Sequence, residues 1–239
     1  MIEDMKTNWK IVLFAVVLSW GPLASGRIEK FTGEAKENGK LVYIEKHEVT
    51  FDDKDNVLTA TTIYSDPDGK ELGVLKSDFT RSLSLPEHVF TDDRTKGQYG
   101  IRRDSEKIIL FNHDDGKSEE TKVLTEPSDS SRLLVGCQGF SYYLKDKIED
   151  LRSKKSQPVL FLIPGDLSSY RFVLEFVKEG PDKIFEFRVK IENWWLRAFA
   201  PTLEFKYDAK VARVVWYKGV SNIKNSAGKT MNVVIDYKY

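Results

Sequence analysis

With 239 residues, the chain is long enough for one large domain or two small ones. Its 37 basic and 37 acidic side chains cancel, so no long-range attraction to nucleic acid or to an anionic membrane surface is expected, and we predict no nucleic-acid partner. The single cysteine, Cys137, excludes an intramolecular disulfide.

The first predicted element is an export signal over residues 1–26. Residues Ile11–Ala24 form an apolar stretch of signal-peptide length, shorter than the roughly 20 apolar residues that span a bilayer. Ala24 and Gly26 are small residues in the spacing of a cleavage site. We therefore predict a mature chain that begins at Arg27, a periplasmic or secreted location, and no stable membrane span after cleavage. The alternatives are an uncleaved anchor or a buried N-terminal helix.

Three strands are predicted at the start of the mature chain. Leu41–Phe51, Val57–Tyr64 and Leu72–Phe79 are rich in β-branched and aromatic residues. Polar turn residues separate them at 52–56, and Asp66–Gly69 supplies a Pro and a Gly suited to a tight turn. Short turns between successive strands predict an antiparallel meander.

Further strands are predicted along the rest of the chain, because short β-prone segments alternate with turn residues. The clearest runs from Ile184 to Ile191, where Phe and Val alternate with charged residues. The full set is Ile108–Phe111, Val159–Ile163, Tyr170–Val177, Ile184–Ile191, Leu203–Tyr207, Val211–Tyr217 and Met231–Tyr237.

One segment has the period of a helix. Between Gly139 and Ser153, apolar residues recur at helical spacing while charged residues fill the other positions, which predicts an amphipathic helix with one buried face. Residues 193–199, which end before Pro201, are assigned to a short helical turn or a bulged connection.

These elements predict a mainly β fold: a strongly curved antiparallel sheet or a (half-)barrel with one inserted amphipathic helix, forming a single domain over residues 27–239. Because strands do not alternate with helices, a parallel sheet is not expected.

Three segments carry a resemblance: YIEKHEVTF (43–51), CQGFSYYLKDKIEDL (137–151) and WYKGVSNIKN (216–225). Over most of the mature chain they resemble a family of exported bacterial β-rich proteins, a domain of unknown function, which implies no biochemical activity. The layout also resembles lipoprotein-carrier and lipocalin-like half-barrels, which implies a curved sheet around a helix or an apolar cavity. This second similarity is one of architecture alone.

Catalytic and metal motifs are not found. Cys137 precedes the predicted helix, where a thiol can become nucleophilic, but no His lies near it in sequence, and a small buried residue is the favoured interpretation. His47, His88 and His113 lack the local pairing of a zinc site. The acidic turn at 52–56 lacks the Gly and distal Glu of an EF-hand. We therefore predict no metal, no cofactor and no catalytic residue.

The candidate ligand-binding residues are aromatic and apolar. Trp194, Trp195 and Phe199 form an aromatic cluster beside an arginine, and Tyr143 and Ile148 lie on the apolar face of the predicted helix. The alternative is that these side chains fill the core. If the sheet encloses a cavity, the same residues would line it.

Three functions remain open at this point. The favoured hypothesis is a non-enzymatic periplasmic protein that binds an apolar small molecule or an envelope component. The second is a structural or assembly factor that contacts another envelope protein through a strand edge. The third is a hydrolase of an envelope polymer, which would require Cys137, a His and a carboxylate to converge in one cleft.

Overall fold

The computed structural model describes residues 26–125, 132–136, 138–193 and 202–239. Within them lie fifteen β-strands, one α-helix and two short 3-10 helices at Pro164–Asp166 and Pro181–Lys183. The helix is α1 (Gly139–Lys154). The strands are β1 (Ile28–Glu37), β2 (Lys40–Phe51), β3 (Val57–Ser65), β4 (Glu71–Asp78), β5 (Glu87–Asp92), β6 (Gln98–Asp104), β7 (Lys107–His113), β8 (Glu120–Thr125), β9 (Leu133–Gly136), β10 (Ser156–Ile163), β11 (Ser168–Glu179), β12 (Ile184–Ile191), β13 (Leu203–Asp208), β14 (Arg213–Lys224) and β15 (Thr230–Lys238).

All fifteen strands belong to one sheet, in the order β8-β7-β6-β5-β4-β3-β2-β1-β15-β14-β13-β12-β11-β10-β9. The prediction of a mainly β chain with one helix is confirmed. The predicted meander is also confirmed, since β2, β3 and β4 pair antiparallel in sequence order. No helix among the described residues is long and apolar enough to cross a membrane.

One pair of strands departs from the antiparallel prediction. β9 and β10 are parallel, with Val135 opposite Phe161, and α1 is the connection between them. A parallel pair needs a crossover of a dozen or more residues, and the single helix supplies it. The sheet is therefore mixed, and the prediction of a purely antiparallel sheet is wrong at this edge.

The barrel alternative is also wrong, because β8 and β9 are the two ends of the sheet and do not pair with each other among the described residues.

The two edges of the sheet differ in how they are protected. At the β8 edge, Val123 is exposed and Lys122 lies beside it. Lysine on an edge strand is typical of an edge that is protected from pairing with another chain. At the β9 edge, the Gly136 amide donates to the Ser84 carbonyl at 3.0 Å.

Side-chain alternation places the core on one face of the sheet. Along β12, Phe185, Phe187, Val189 and Ile191 are buried while the residues between them are not, as a two-residue period requires. Residues directly opposite each other on neighbouring strands share a face. This buried face, on which α1 packs, is called the inner face below.

Helix α1 contacts the inner face through its apolar side. Phe140, Leu144 and Leu151 are buried in a cluster that also contains Leu174 of β11 and Phe187 of β12. The backbone leaves helical geometry at Lys147, so the helix is kinked at its midpoint. It ends at Lys155, which adopts a left-handed conformation.

The strands near the two ends of the sheet also contact each other, the inner face of β6 and β7 meeting the face of β10 that does not carry α1. Leu162 of β10 is buried in a cluster with Ile101 of β6 and Leu110 of β7. The Asn112 side-chain amide donates to the Gly165 carbonyl at 3.0 Å. Strands distant in the sheet order are thereby packed face to face.

Candidate functional site

A pocket lies between the N-terminal half of α1 and the inner face of the central strands. Its cavity volume is about 80 Å³. Strands β1, β2, β14 and β15 and the helix meet there because β1 and β15 pair at the middle of the sheet. The lining residues are Glu29, Phe31, His47, Phe51, Gln138, Ser141, Tyr142, Lys145, Ala212, Arg213, Val214, Tyr237 and Tyr239.

Stacked rings form one wall of the pocket. The Phe31 ring lies between two others: its centroid is 4.3 Å from that of His47, with nearly parallel planes, and 4.5 Å from that of Tyr239. Tyr237 meets Phe31 edge-on at 6.1 Å. The Tyr237 ring passes close over Gly33, where a Cβ would come within 2.9 Å of it. Such offset and edge-on contacts hold aromatic rings in fixed orientations.

Five charged side chains form a ladder beside this wall, with alternating sign. Arg213 contacts Glu29 through two nitrogens, at 2.7 and 2.5 Å. Arg27 bridges Glu29 at 2.6 Å and Asp55 at 2.5 Å, and Lys145 of α1 contacts Asp55 at 2.6 Å. The ladder, defined as Arg213–Glu29–Arg27–Asp55–Lys145, ties the helix to β1, to β14 and to the β2–β3 turn.

The ladder keeps both of its carboxylates ionised. Hydrogen bonds from Arg213 lower the pKa of Glu29 against the opposing effect of burial. Hydrogen bonds from Lys145 and then Arg27 lower the pKa of Asp55 to about 2. Because Asp55 and Arg27 are well exposed, solvent screens this part of the ladder, and its effect on stability is modest. The Glu29–Arg213 pair is more enclosed, with side chains less than one fifth exposed.

A second polar chain lies beneath the helix start. Gln138 Nε2 donates to Thr62 Oγ1 at 2.5 Å, and Thr62 Oγ1 lies 2.9 Å from His47 Nδ1. His47 Nε2 lies 2.9 Å from the Glu45 carboxylate, which fixes Nε2 as the protonated nitrogen when the ring is neutral. The Thr62 hydroxyl then donates to Nδ1. The Ser77 hydroxyl donates to the other end of the same amide, Gln138 Oε1, at 3.2 Å.

This order of acid, imidazole and hydroxyl is the one that activates a nucleophile in hydrolases. Here the hydroxyl belongs to Thr62, which is 0% exposed, and its oxygen already accepts a bond from Gln138. A substrate has no access to it. These hydrogen-bonded side chains instead fix the start of α1 on β3 and β4. The Gln138 side chain is bonded to the sheet and does not cap the helix.

Replacing Gln138 by methionine should therefore destabilise the protein by about 1–3 kcal/mol, because it leaves the buried Ser77 hydroxyl without an acceptor and removes the donor to Thr62 Oγ1. Urea unfolding measures the change. Gln98→Met is the matched control, since Gln98 donates to Thr91 at 3.2 Å on the exposed surface, and it should cost less than about 0.5 kcal/mol. Equal losses in the two variants would contradict the structural role assigned to Gln138.

Three residues that line the pocket carry a hydroxyl with no hydrogen-bond partner among the described residues: Ser141, Tyr142 and Tyr237. By contrast, the Tyr239 hydroxyl donates to the Val214 carbonyl at 2.8 Å. Burial raises the pKa of Tyr142 and of Tyr237, so both phenols stay protonated at neutral pH. They are available as donors to a group inside the pocket.

The sequence-predicted ligand-binding residues fall elsewhere. Tyr143 and Ile148 pack, partly buried, against the main core cluster and do not line the pocket. Trp194, Trp195 and Phe199 lie outside the described residues, as does Cys137, so the convergence of Cys137 with a His and a carboxylate is not addressed by the structure. Among the residues that the structure does describe, no three His, Cys, Asp or Glu side chains form a metal-binding group.

Most of the pocket residues were missed by sequence reasoning. Arg213 and Glu29 stand far apart in the chain and meet only because β1 and β15 pair. One signal was present: in YIEKHEVTF the alternation puts Tyr43, Glu45 and His47 on one face together with apolar residues, and a carboxyl group beside a histidine on a buried face indicates a built polar site. No protein-family model matches the chain, and neither a curated protein nor a solved structure matches it.

Proposed function

We propose that this is a non-enzymatic, exported binding protein whose ligand is a small molecule with an apolar part, held in the pocket beneath α1. The observation that carries the proposal is the pocket itself, an aromatic wall joined to unpartnered hydroxyls. Ligand sites are typically apolar concavities with a few placed polar groups. Export, removal of residues 1–26 and a periplasmic location belong to the same proposal and are supported by the sequence pattern.

The architecture proposed with it is a sheet bent around α1, as in a half-barrel. The buried contact of Leu162 with Ile101, the bond from Asn112 to Gly165 and the bond from Gly136 to Ser84 support this, because each joins strands or loops from opposite ends of the sheet. In that arrangement the helix and the pocket lie inside the bend.

The size of the pocket limits the ligand. About 80 Å³ is roughly half of the ~150 Å³ cavity that admits benzene in an engineered protein. An acyl chain of lipid length does not fit while α1 is in place. The proposed ligand is therefore small, no larger than a single ring that leaves one edge at the mouth of the pocket.

Native mass spectrometry of the protein from a fresh periplasmic extract tests this proposal. We expect a chain that begins at Arg27 and carries a small additional mass, lost on denaturation. Ser141→Trp, which fills the pocket from α1, should abolish the additional mass. Ser153→Trp, on the exposed far end of the same helix, should retain it. A wild-type mass equal to the bare chain would contradict ligand binding, and a chain that keeps residues 1–26 would contradict processing.

A further inference from the structure

We infer that the pocket selects an uncharged ring compound that carries a hydroxyl group, and that it discriminates against anions and cations of the same size. This inference rests on the proposed function, because it names the chemical class of ligand for the same pocket. Three observations carry it: the charges at the pocket are already paired, three hydroxyls are not, and the apolar surface consists of aromatic rings.

The charged residues of the pocket are paired with one another. Arg213 binds the Glu29 carboxylate with two nitrogens and donates a third bond to the Ala212 carbonyl at 2.9 Å. Lys145 is engaged by Asp55. An anionic ligand would have to displace Glu29 from Arg213 and leave that carboxylate in a half-enclosed position. A cation would meet the reverse problem at Arg213. Because unpaired buried charge is costly, both kinds of ligand are disfavoured.

His47 leaves no nitrogen free to bind a charged ligand. Both of its ring nitrogens are engaged, one with Thr62 and the other with Glu45. The amide of Gln138, another polar lining residue, is engaged by Thr62 and Ser77. No lining group with a full charge is therefore left for a ligand in the described part of the chain.

The unpartnered groups are neutral hydroxyls. Ser141 and Tyr142 come from α1, while Tyr237 comes from β15, so they approach the pocket from two sides. A hydroxyl both donates and accepts, and a ligand hydroxyl can satisfy such groups without any charge. The side chain of Tyr142 is held edge-on against Phe79 at 4.7 Å, which fixes the direction of its phenol.

The apolar lining favours a flat ligand. Phe31, Phe51, Tyr142, Tyr237 and Tyr239 all contribute ring surface. Ring-on-ring contacts in offset or edge-on geometry are worth about 0.5–1.5 kcal/mol beyond their buried area. A single aromatic ring uses this surface better than a branched aliphatic group of equal volume, and the cavity has no room for a second ring.

Four single-ring probes test the inference on the full protein as processed by the cell. Phenol, toluene, benzoate and benzylamine share one ring and differ in the polar group. Isothermal titration calorimetry or ligand-observed NMR at pH 7 compares their affinities. We expect phenol to bind about tenfold or more tightly than benzoate and benzylamine, and several-fold more tightly than toluene, the gain of about one hydrogen bond.

Two neighbouring variants give the test its control. Tyr142→Phe removes an unpartnered hydroxyl from a residue that lines the pocket and should weaken phenol binding about fivefold to tenfold while leaving toluene unchanged. Tyr143→Phe alters the next residue, which packs against the core instead, and should leave all four affinities unchanged. Circular dichroism confirms that both variants are folded.

The outcomes separate this inference from the proposed function. If benzoate binds most tightly, the site takes anions, and the inference is overturned while ligand binding stands. Equal binding of phenol and toluene, with no effect of Tyr142→Phe, overturns the role of the hydroxyls and again leaves ligand binding intact. If none of the four probes binds, or if Ser141→Trp leaves their binding unchanged, the pocket itself is not the ligand site, and both proposals fail.

Discussion

Gly139→Ala should destabilise the protein by about 3 kcal/mol or more. A Cβ at this position would lie 2.2 Å from the Ser84 carbonyl oxygen, 2.5 Å from its carbon and 2.7 Å from Pro86 Cδ. These obstacles are backbone and proline-ring atoms, which cannot rotate away as the end of a flexible side chain can. The start of α1 would have to move off the 82–86 loop and would carry Gln138 with it.

Urea unfolding measures this loss, with Gly165→Ala as control. Gly165 also lies near the contact between the two ends of the sheet, but a Cβ there would come no closer than 3.8 Å to any neighbour, the nearest being the Tyr99 ring. That variant should remain within about 0.5 kcal/mol of the wild type. If Gly139→Ala were equally mild, the close packing of α1 against the 82–86 loop would be refuted. Gly139→Ala should also weaken phenol binding, since the helix forms one side of the pocket.

Acidification should destabilise the protein through His88, by about 3 kcal/mol between pH 7 and pH 4. His88 is 3% exposed, and burial lowers its pKa from 6.5 to about 4. Its Nδ1 carries the proton, because it lies 3.2 Å from the Pro86 carbonyl, which can only accept. The imidazole therefore folds in its neutral form.

The sign follows from proton linkage. Well above pH 6.5, His88 is neutral in the folded and the unfolded chain and makes no pH-dependent contribution. As the pH falls from 6.5 towards 4, the unfolded chain binds a proton that the folded protein excludes, so the free energy of unfolding decreases. The two pKa values differ by about two and a half pH units, and each unit corresponds to about 1.4 kcal/mol.

Urea titrations at several pH values check this effect. Replacing His88 by glutamine should lower stability at pH 7 and flatten the dependence between pH 6.5 and pH 4. The control is Gln98→Met, an exchange of one uncharged side chain for another on the exposed surface, which should retain the wild-type slope. An unchanged slope in His88→Gln would show that another group takes up the proton.

The hydrophobic pattern of the sequence predicted those helices and strands whose pattern is long and regular. The helix was predicted at Gly139–Ser153 and observed at Gly139–Lys154. The strand from Leu41 was predicted to within one residue. In both cases the hydrophobic period is long and regular, and polar or turn residues mark the ends.

Strand β1 was missed because its sequence, IEKFTGEAKE, is polar and contains Gly and Ala, residues that are poor strand formers. Its conformation depends on pairing with β2 on one side and β15 on the other. The parallel β9–β10 pair was missed for a related reason. Leu133–Gly136 is only four residues long, too short for a period to be read.

The pocket could not be predicted from the sequence because its parts come from opposite ends of the chain. Arg213 finds Glu29 only through long-range strand pairing. The sequence analysis placed candidate ligand contacts at Tyr143 and Ile148 because they lie on the apolar face of the predicted helix. In the structure these two residues pack against the core, and the pocket is lined by Ser141, Tyr142 and Lys145 of the same helix.

The pairing of β1 with β15 has a consequence for the way the chain folds. The strands from β1 to β8 pair in sequence order, and so do those from β10 to β15, but the two series are joined by strand pairing only along Thr32–Lys36 of β1 and Val234–Lys238 of β15. Pairing β1 with β15 closes a loop that contains all the other strands, and closing so long a loop is slow. Until β15 is available, β1 and β14 each present an open edge. The sheet therefore completes only after β15 has been synthesised, and loss of β15 would leave two half-sheets with exposed edges that are prone to aggregate.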